Sequence, residues 1–531
     1  MVQRPKARAA TRGATYVPPR GCRSSNNFSF WLQEAVQIAA VNPLYQPPPL
    51  DQVASPRILR LSQEDRIVAC TRLGQSMIRG VFCCLLFILE ALHCACGAEP
   101  SPPAGLTPEQ RGYWFLTNKA YLPPDFDQSL FDNLWKLWPA PLRVQAEQAT
   151  PEERRKMAFS RYGLTARPDD ASKPLQYVVN EEGEWTMNCF ACHGGKVMGK
   201  VWPGLPNSLY ALQTLTEESR LLKLARGKKL GRMDLGSVFV PLGATNGSTN
   251  AVNFGVALMA FRDKDLNFID PPTVPKMLHH DMEAPPWWQF HRKQQIYIDG
   301  FAEKGPRGLM QFMLVRSNGP EKFHEWEPDF TDIYAYISSL QPPPYPYPVD
   351  AALAEAGEKA FLRVCADCHG TYGKNAAYPG RMIPLAEIKT DRVRFDSLTP
   401  AHREMYAQSW FAEYGRKKNI NAPEGYVAPP LDGIWASAPY FHNGSVPTLW
   451  HLLRPAERPA VWKRTEDGYD PLRVGLEIQT FDQIPAAVTS GGERRQFFDT
   501  REFGKSAAGH LFPNTLTEDE KRAVLEYLKT L

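Results

Sequence analysis

The chain has 531 residues, a formal net charge of +4, 48 prolines and 43% hydrophobic residues. So small a charge on so long a chain makes no field for nucleic acid, and the proline content suits a loop-rich, well-cored globular protein. The length favours two or three domains.

The first 76 residues begin MVQRPKARAATRGATYVPPRGCRSSNN, a basic stretch without an apolar run. From Met77 the chain reads MIRGVFCCLLFILEALHCACGAEP, with a charged start at Arg79, an apolar core from Val81 to Leu89 and small residues at Cys96-Gly97-Ala98. This is the plan of a secretory signal peptide. It implies a true start at Met77, residues 1–76 as a disordered over-extension of the gene, and cleavage after Ala98. The apolar core is too short to span a bilayer well and is interrupted by Glu90, so no stable membrane span is expected in the mature chain. The protein is expected in the periplasm or outside the cell.

At Asn188 the chain reads NCFACHGG. Two cysteines three apart can close a redox disulfide, clasp a zinc ion or form two thioethers to one porphyrin, and the histidine directly after them favours haem. A second copy, CADCHG, places Cys365, Cys368 and His369 in the same pattern. With 10 Cys and 11 His in the chain, chance supplies only about 0.004 such strings. The other six cysteines (Cys22, Cys70, Cys83, Cys84, Cys94 and Cys96) all precede residue 97. A redox dithiol gives the histidines no role, and zinc would recruit both pairs into one four-ligand site. The reading is two covalently bound haem c groups, one on Cys189 and Cys192 and one on Cys365 and Cys368, with His193 and His369 as proximal iron ligands.

Between the motifs, GSVFVPL (236–242) reads as a weak strand, and FTDIYAYISSL (330–340) as a helix with Ile333, Tyr336 and Ile337 on one face. SLQPPPYPYPVD then interrupts the chain, since consecutive prolines cannot continue a helix. Residues 342–349 are the expected linker between an N-terminal haem domain, 99–341, and a C-terminal cytochrome c domain, 350–531. The second domain opens with the helical AALAEAGEKAFLRVCADCH and closes with EDEKRAVLEYLKTL, whose Val524, Leu525 and Leu528 share a face. A helix running into CxxCH and a closing helix crossing over the haem is the minimal cytochrome c plan. The fold class is therefore mainly α: two cytochrome c-like haem domains with long irregular loops.

Two CxxCH motifs at this separation, with APYFHNGSVPTLWHLL (438–453) downstream of the second, resemble the di-haem cytochrome c peroxidase superfamily. Within it, NGSVPTL followed by ERPAVWKR, GYDPLRVGLE and SAAGHLF is most similar to the rubber-oxygenase-like branch. Where the resemblance would put a methionine ligand for the second haem stands Ala456, and the branch's late histidine in a Gly-His turn matches His510. Nearby competitors are His451 and Met405. For the first haem no histidine lies between His193 and His279, and Met198, Met233 and Met259 are the alternatives to an open sixth position. In HHDMEAPPWWQFHRK (279–293) the resemblance implies an aromatic distal pocket from Trp287 and Trp288, joined by Phe301 and Phe312. It also implies a calcium ion near Ser437 and Pro439.

The implied activity is that of an electron-transfer oxidoreductase. The first haem activates O2 or peroxide and the second relays electrons. The partners are a periplasmic redox protein or the small oxidant itself. A peroxidase and a pure electron carrier are the alternatives.

Overall fold

The computed structural model describes residues 99–270 and 278–531. The expected start at Met77, the signal peptide and the first 76 residues lie outside them. Helices hold 42% of the described residues and strands 13%, so the fold is mostly helical with much irregular chain.

Helix α1 (Pro108–Asn118) starts on a capping box: the Thr107 hydroxyl accepts from the Gln110 backbone N–H, and the Gln110 side chain accepts from that of Thr107. A long insertion follows, holding the antiparallel sheet of β1 (Phe126–Asp127), β2 (Tyr177–Val179) and β3 (Glu184–Met187), with β3 central. Trp138, Tyr162 and Trp185 give this insertion its own core. Residues 236–239 do not form the expected strand. They lie in helix Arg232–Phe239, where Asp234 accepts the Gly231 backbone N–H and caps the first turn.

Helix α2 (Pro320–Ser339) begins ten residues before the expected span and continues through Pro328. It crosses α1 as one of the two most extensive helix contacts in the fold. The other joins α3 (Ala351–Val364), which runs into the second CxxCH, to α4 (Glu518–Leu528). Each pair is an opening helix crossed by a closing one, and each crossing depends on a glycine. A Cβ on Gly112 of α1 would lie 2.2 Å from the Asp332 carbonyl oxygen of α2. On Gly357 of α3 it would lie within 2 Å of the Ala523 carbonyl oxygen of α4. Backbones this close admit no side chain between them.

Between α3 and α4 the chain adds a hairpin of β4 (Val461–Asp470) and β5 (Gly475–Phe481), with β6 (Phe497–Asp499) on the other side of β4. The proline linker has no regular structure, yet it is docked: Trp435 Nε1 donates to the Pro343 carbonyl at 3.0 Å and Tyr345 packs edge-on against Trp435. The two halves also exchange residues. Leu398, Tyr406, Trp410 and Phe411 join the core around Phe190 and Trp287, while Leu205 and Trp288 join the core around Phe361 and Trp435.

Candidate haem sites

The first CxxCH is one helical turn, Phe190–His193, fixed at its start by Asn188. The Asn188 amide donates to the carbonyls of Leu116 in α1 and of Leu175, and its oxygen accepts the Phe190 N–H. After the turn, Gly195 lies against Pro206, where a Cβ would come within 2.2 Å of the carbonyl oxygen. His193 Nδ1 is 3.1 Å from the carbonyl oxygen of Pro285. A carbonyl only accepts, so Nδ1 carries the proton and Nε2 carries the lone pair, the state a metal-binding imidazole needs.

The second CxxCH repeats this arrangement. His369 Nδ1 donates to the Pro429 carbonyl at 2.8 Å, which again leaves Nε2 free. The acceptors are themselves equivalent, each being the first proline of an Ala-Pro-Pro string, 284–286 and 428–430. Tyr372 ties the second site together by donating to the His369 carbonyl and accepting from Leu431 N–H.

Across from His369 stands His510. The two imidazole centroids are 6.2 Å apart at 61°. Two imidazoles bound to opposite faces of one iron through Nε2, at about 2 Å each, hold their centroids about 6.3 Å apart. His510 is fixed in the left-handed region at φ 49°, and a Cβ on the preceding Gly509 would clash with the Lys389 backbone at 2.3 Å. Arg458 holds the same turn by donating to the carbonyls of Ala507 (2.6 Å) and Gly509 (2.8 Å). Burial pushes the His510 imidazole down to about 3, so it stays neutral and able to ligate. The ring that meets His369 is that of His510, whereas His451 sits in the short helix Leu449–Leu453 with its Nδ1 on the Thr448 hydroxyl at 2.8 Å, and Met405 packs on the first core.

The four cysteines are unpaired, and burial pushes the Cys189 thiol up to about 11 and those of Cys192 and Cys365 to about 12. A redox dithiol needs the opposite shift. Among the described residues, no three His, Cys, Asp or Glu side chains gather to hold a metal ion. Both histidines and their cysteine pairs thus have the donor set and protonation state that a c-type haem requires. Ser437, the residue expected near calcium, donates its hydroxyl to the Ile434 carbonyl at 3.2 Å.

The two tryptophans expected in the distal pocket face different ways. Trp287 stacks on the His193 imidazole itself, with centroids 4.7 Å apart at 23°, because its backbone follows directly from the prolines that hold that ring. Trp288 points the other way, donating from Nε1 to the Asp432 carbonyl at 2.7 Å in the second core. Phe301 is buried in the first core, stacked on Tyr297 and edge-on to Tyr406, whereas Phe312 is 37% exposed and forms no pocket. Of the candidate methionines, Met259 shares the core of Cys189 and Phe190, Met198 packs on the second core, and Met233 faces Asp125 and Tyr177. The Ala-Pro-Pro repeat is the sequence signal that marks the two histidine-holding carbonyls, and it lies far from either CxxCH in the chain.

Residues 425–463 match the family described as RoxA-like, cytochrome c-like. That segment runs from Gly425 through Pro429 into β4, so it includes the carbonyl that holds His369. A short region of the chain is thus similar to RoxA-like cytochrome c-like proteins, which makes the chain a candidate haem c protein. It is also similar to two uncharacterized proteins of Sinorhizobium fredii. One, y4iM, is 32% identical over 200 residues, 33% of this chain and 44% of that protein. The other, y4iJ, is 44% identical over 126 residues, 22% of this chain and 19% of that protein. The chain thus spans less than half the length of either relative. No described helix is long and apolar enough to cross a membrane.

Proposed function

We propose that this protein is an exported di-haem c-type cytochrome acting as an electron-transfer oxidoreductase. Cys189 and Cys192 carry one haem with His193 as its axial ligand, and Cys365 and Cys368 carry the other between His369 and His510. The observation that carries this reading is the repeated proximal geometry, with His193 on Pro285 and His369 on Pro429. Bound haem supplies one-electron and O2 or peroxide chemistry. Pro285 and Pro429 fix the histidine tautomers, and their carbonyls strengthen each imidazole as a donor.

The asymmetry between the sites divides the work. His369 has a facing imidazole, while the ring against His193 among the described residues is Trp287. The first site is therefore the one where O2 or peroxide binds. Phe301, with Tyr297 and Tyr406, excludes water from its pocket. The second site, where His369 and His510 would both hold the iron, would pass electrons. Trp287 and Trp288 lie between them, one stacked on His193 and the other bonded to Asp432, three residues beyond the proline that holds His369. Bis-histidine ligation gives a lower potential than His/Met, which favours oxygenase-like over peroxidase chemistry.

Electron paramagnetic resonance of the oxidised protein tests the division. One high-spin and one low-spin ferric signal are expected. Two low-spin signals would close the first site and leave a pure electron carrier. Oxygen uptake on an unsaturated hydrocarbon polymer, against peroxide turnover with a reduced c-type cytochrome, then separates oxygenase from peroxidase.

A further inference from the structure

Between the two histidine sites lies a buried charge cluster that the proposed function does not use. Asp299, Arg394 and Arg403 are at most 2% exposed. The Arg394 fork spans both oxygens of Asp299 at 3.1 and 3.2 Å, and Arg403 reaches the same carboxylate at 2.7 Å. Two guanidiniums thus share one carboxylate, and the cluster keeps an uncompensated positive charge. Arg394 Nε, His280 Nε2 and His442 Nε2 are buried there without a partner. Of the nearby carboxyls, Asp391 accepts backbone N–H from Val393 and Ser506, while Asp281 accepts from Ala244, Thr245 and the Ser248 hydroxyl through Oδ2 and turns Oδ1 toward His279, 3.8 Å away.

The cluster touches both sites. Arg403 lies over the Phe301 ring at 5.6 Å, in the core that holds Cys189. On the other side His442 packs on Tyr426 with centroids 4.6 Å apart, and the adjoining Phe441 meets His510 at 6.0 Å. A buried cation without a counter-charge is strongly disfavoured, so the site calls for an anion. Asp299 fills the Arg394 fork, so the unpartnered Arg394 Nε–H is the donor left for a second carboxylate.

We propose that Arg394 and Arg403, with His442 beside them, form a receptor for haem propionate carboxylates at the junction of the two sites. This rests on the di-haem reading. It gives the cluster two effects: it neutralises propionates that would otherwise be buried unpaired, and its net positive charge raises the potential of the haem it holds. The carboxylate comes from either haem, and the haem whose signals respond identifies the source.

The test uses the haem-loaded protein with Arg394→Met, Arg394→Lys and Asp299→Asn. Midpoint potentials of both haems are read by redox titration, and the propionate-bending band by resonance Raman. Arg394→Met should lower the potential of the held haem and Asp299→Asn should raise it, opposite shifts that a merely structural role does not produce. Arg394→Lys keeps the charge but loses the Nε–H donor, so it should move the Raman band more than the potential. If Arg394→Met does not fold, Arg394→Lys and Asp299→Asn carry the test. Unmoved potentials and an unmoved Raman band, with two haems still bound, overturn the proposal. A wild-type protein with fewer than two haems overturns the di-haem reading instead.

Discussion

Replacing His510 by alanine is expected to convert the low-spin ferric signal of the second haem to high-spin, while His451→Ala leaves it unchanged. The two imidazoles stand 6.2 Å apart, the spacing of a bis-histidine iron. The Gly509-His510 turn is fixed by a glycine that cannot carry a side chain and by Arg458, so no neighbouring residue can slide into the vacated position. His451 has its Nδ1 engaged by Thr448 and sits in the short helix Leu449–Leu453. Spectra of the two variants side by side decide the matter. Loss of the low-spin signal in His451→Ala, with His510→Ala unaffected, would reverse the ligand assignment.

Gly357→Ala is expected to destabilise the C-terminal helix pair by on the order of 3 kcal/mol or more, the upper range for overpacking. The added Cβ would fall within 2 Å of the Ala523 carbonyl oxygen and 2.9 Å from Val524 N, so α3 and α4 must separate. Alanine's helix propensity offsets only about 1 kcal/mol of this. Gly112→Ala should act alike on α1 and α2, where Asp332 O and the Tyr336 Cβ are the obstacles. Thermal unfolding of each variant, followed at the haem absorbance, gives the size of the loss. A melting temperature equal to wild type in both would mean that the crossings are looser than the structure has them.

The second helix pair was legible because its pattern is local. AALAEAGEKAF runs straight into CADCH, and EDEKRAVLEYL repeats apolar residues at helical spacing behind the Thr517 capping box. The first pair was only half legible. Residues 119–188 separate α1 from its CxxCH, so PEQRGYWFLTN is not adjacent to the motif it serves. Its Thr107 to Gln110 capping box was the available signal. Valine and phenylalanine in GSVFVPL (236–242) favour a strand, whereas Asp234, upstream of that stretch, caps a helix that runs to Phe239. The cysteines and histidines of the site could be read from spacing alone. The Pro285 and Pro429 carbonyls, the stacking of Trp287 on His193 and the Asp299 cluster join residues far apart in sequence, and no local pattern encodes them.

The most direct measurement is the haem stoichiometry of the native protein, by pyridine haemochrome against quantitative amino-acid analysis, after acid-acetone extraction. The expected result is two haems per chain, both retained through the extraction because four thioethers hold them. One haem per chain, or haem that the extraction removes, would contradict the assignment of Cys189, Cys192, Cys365 and Cys368.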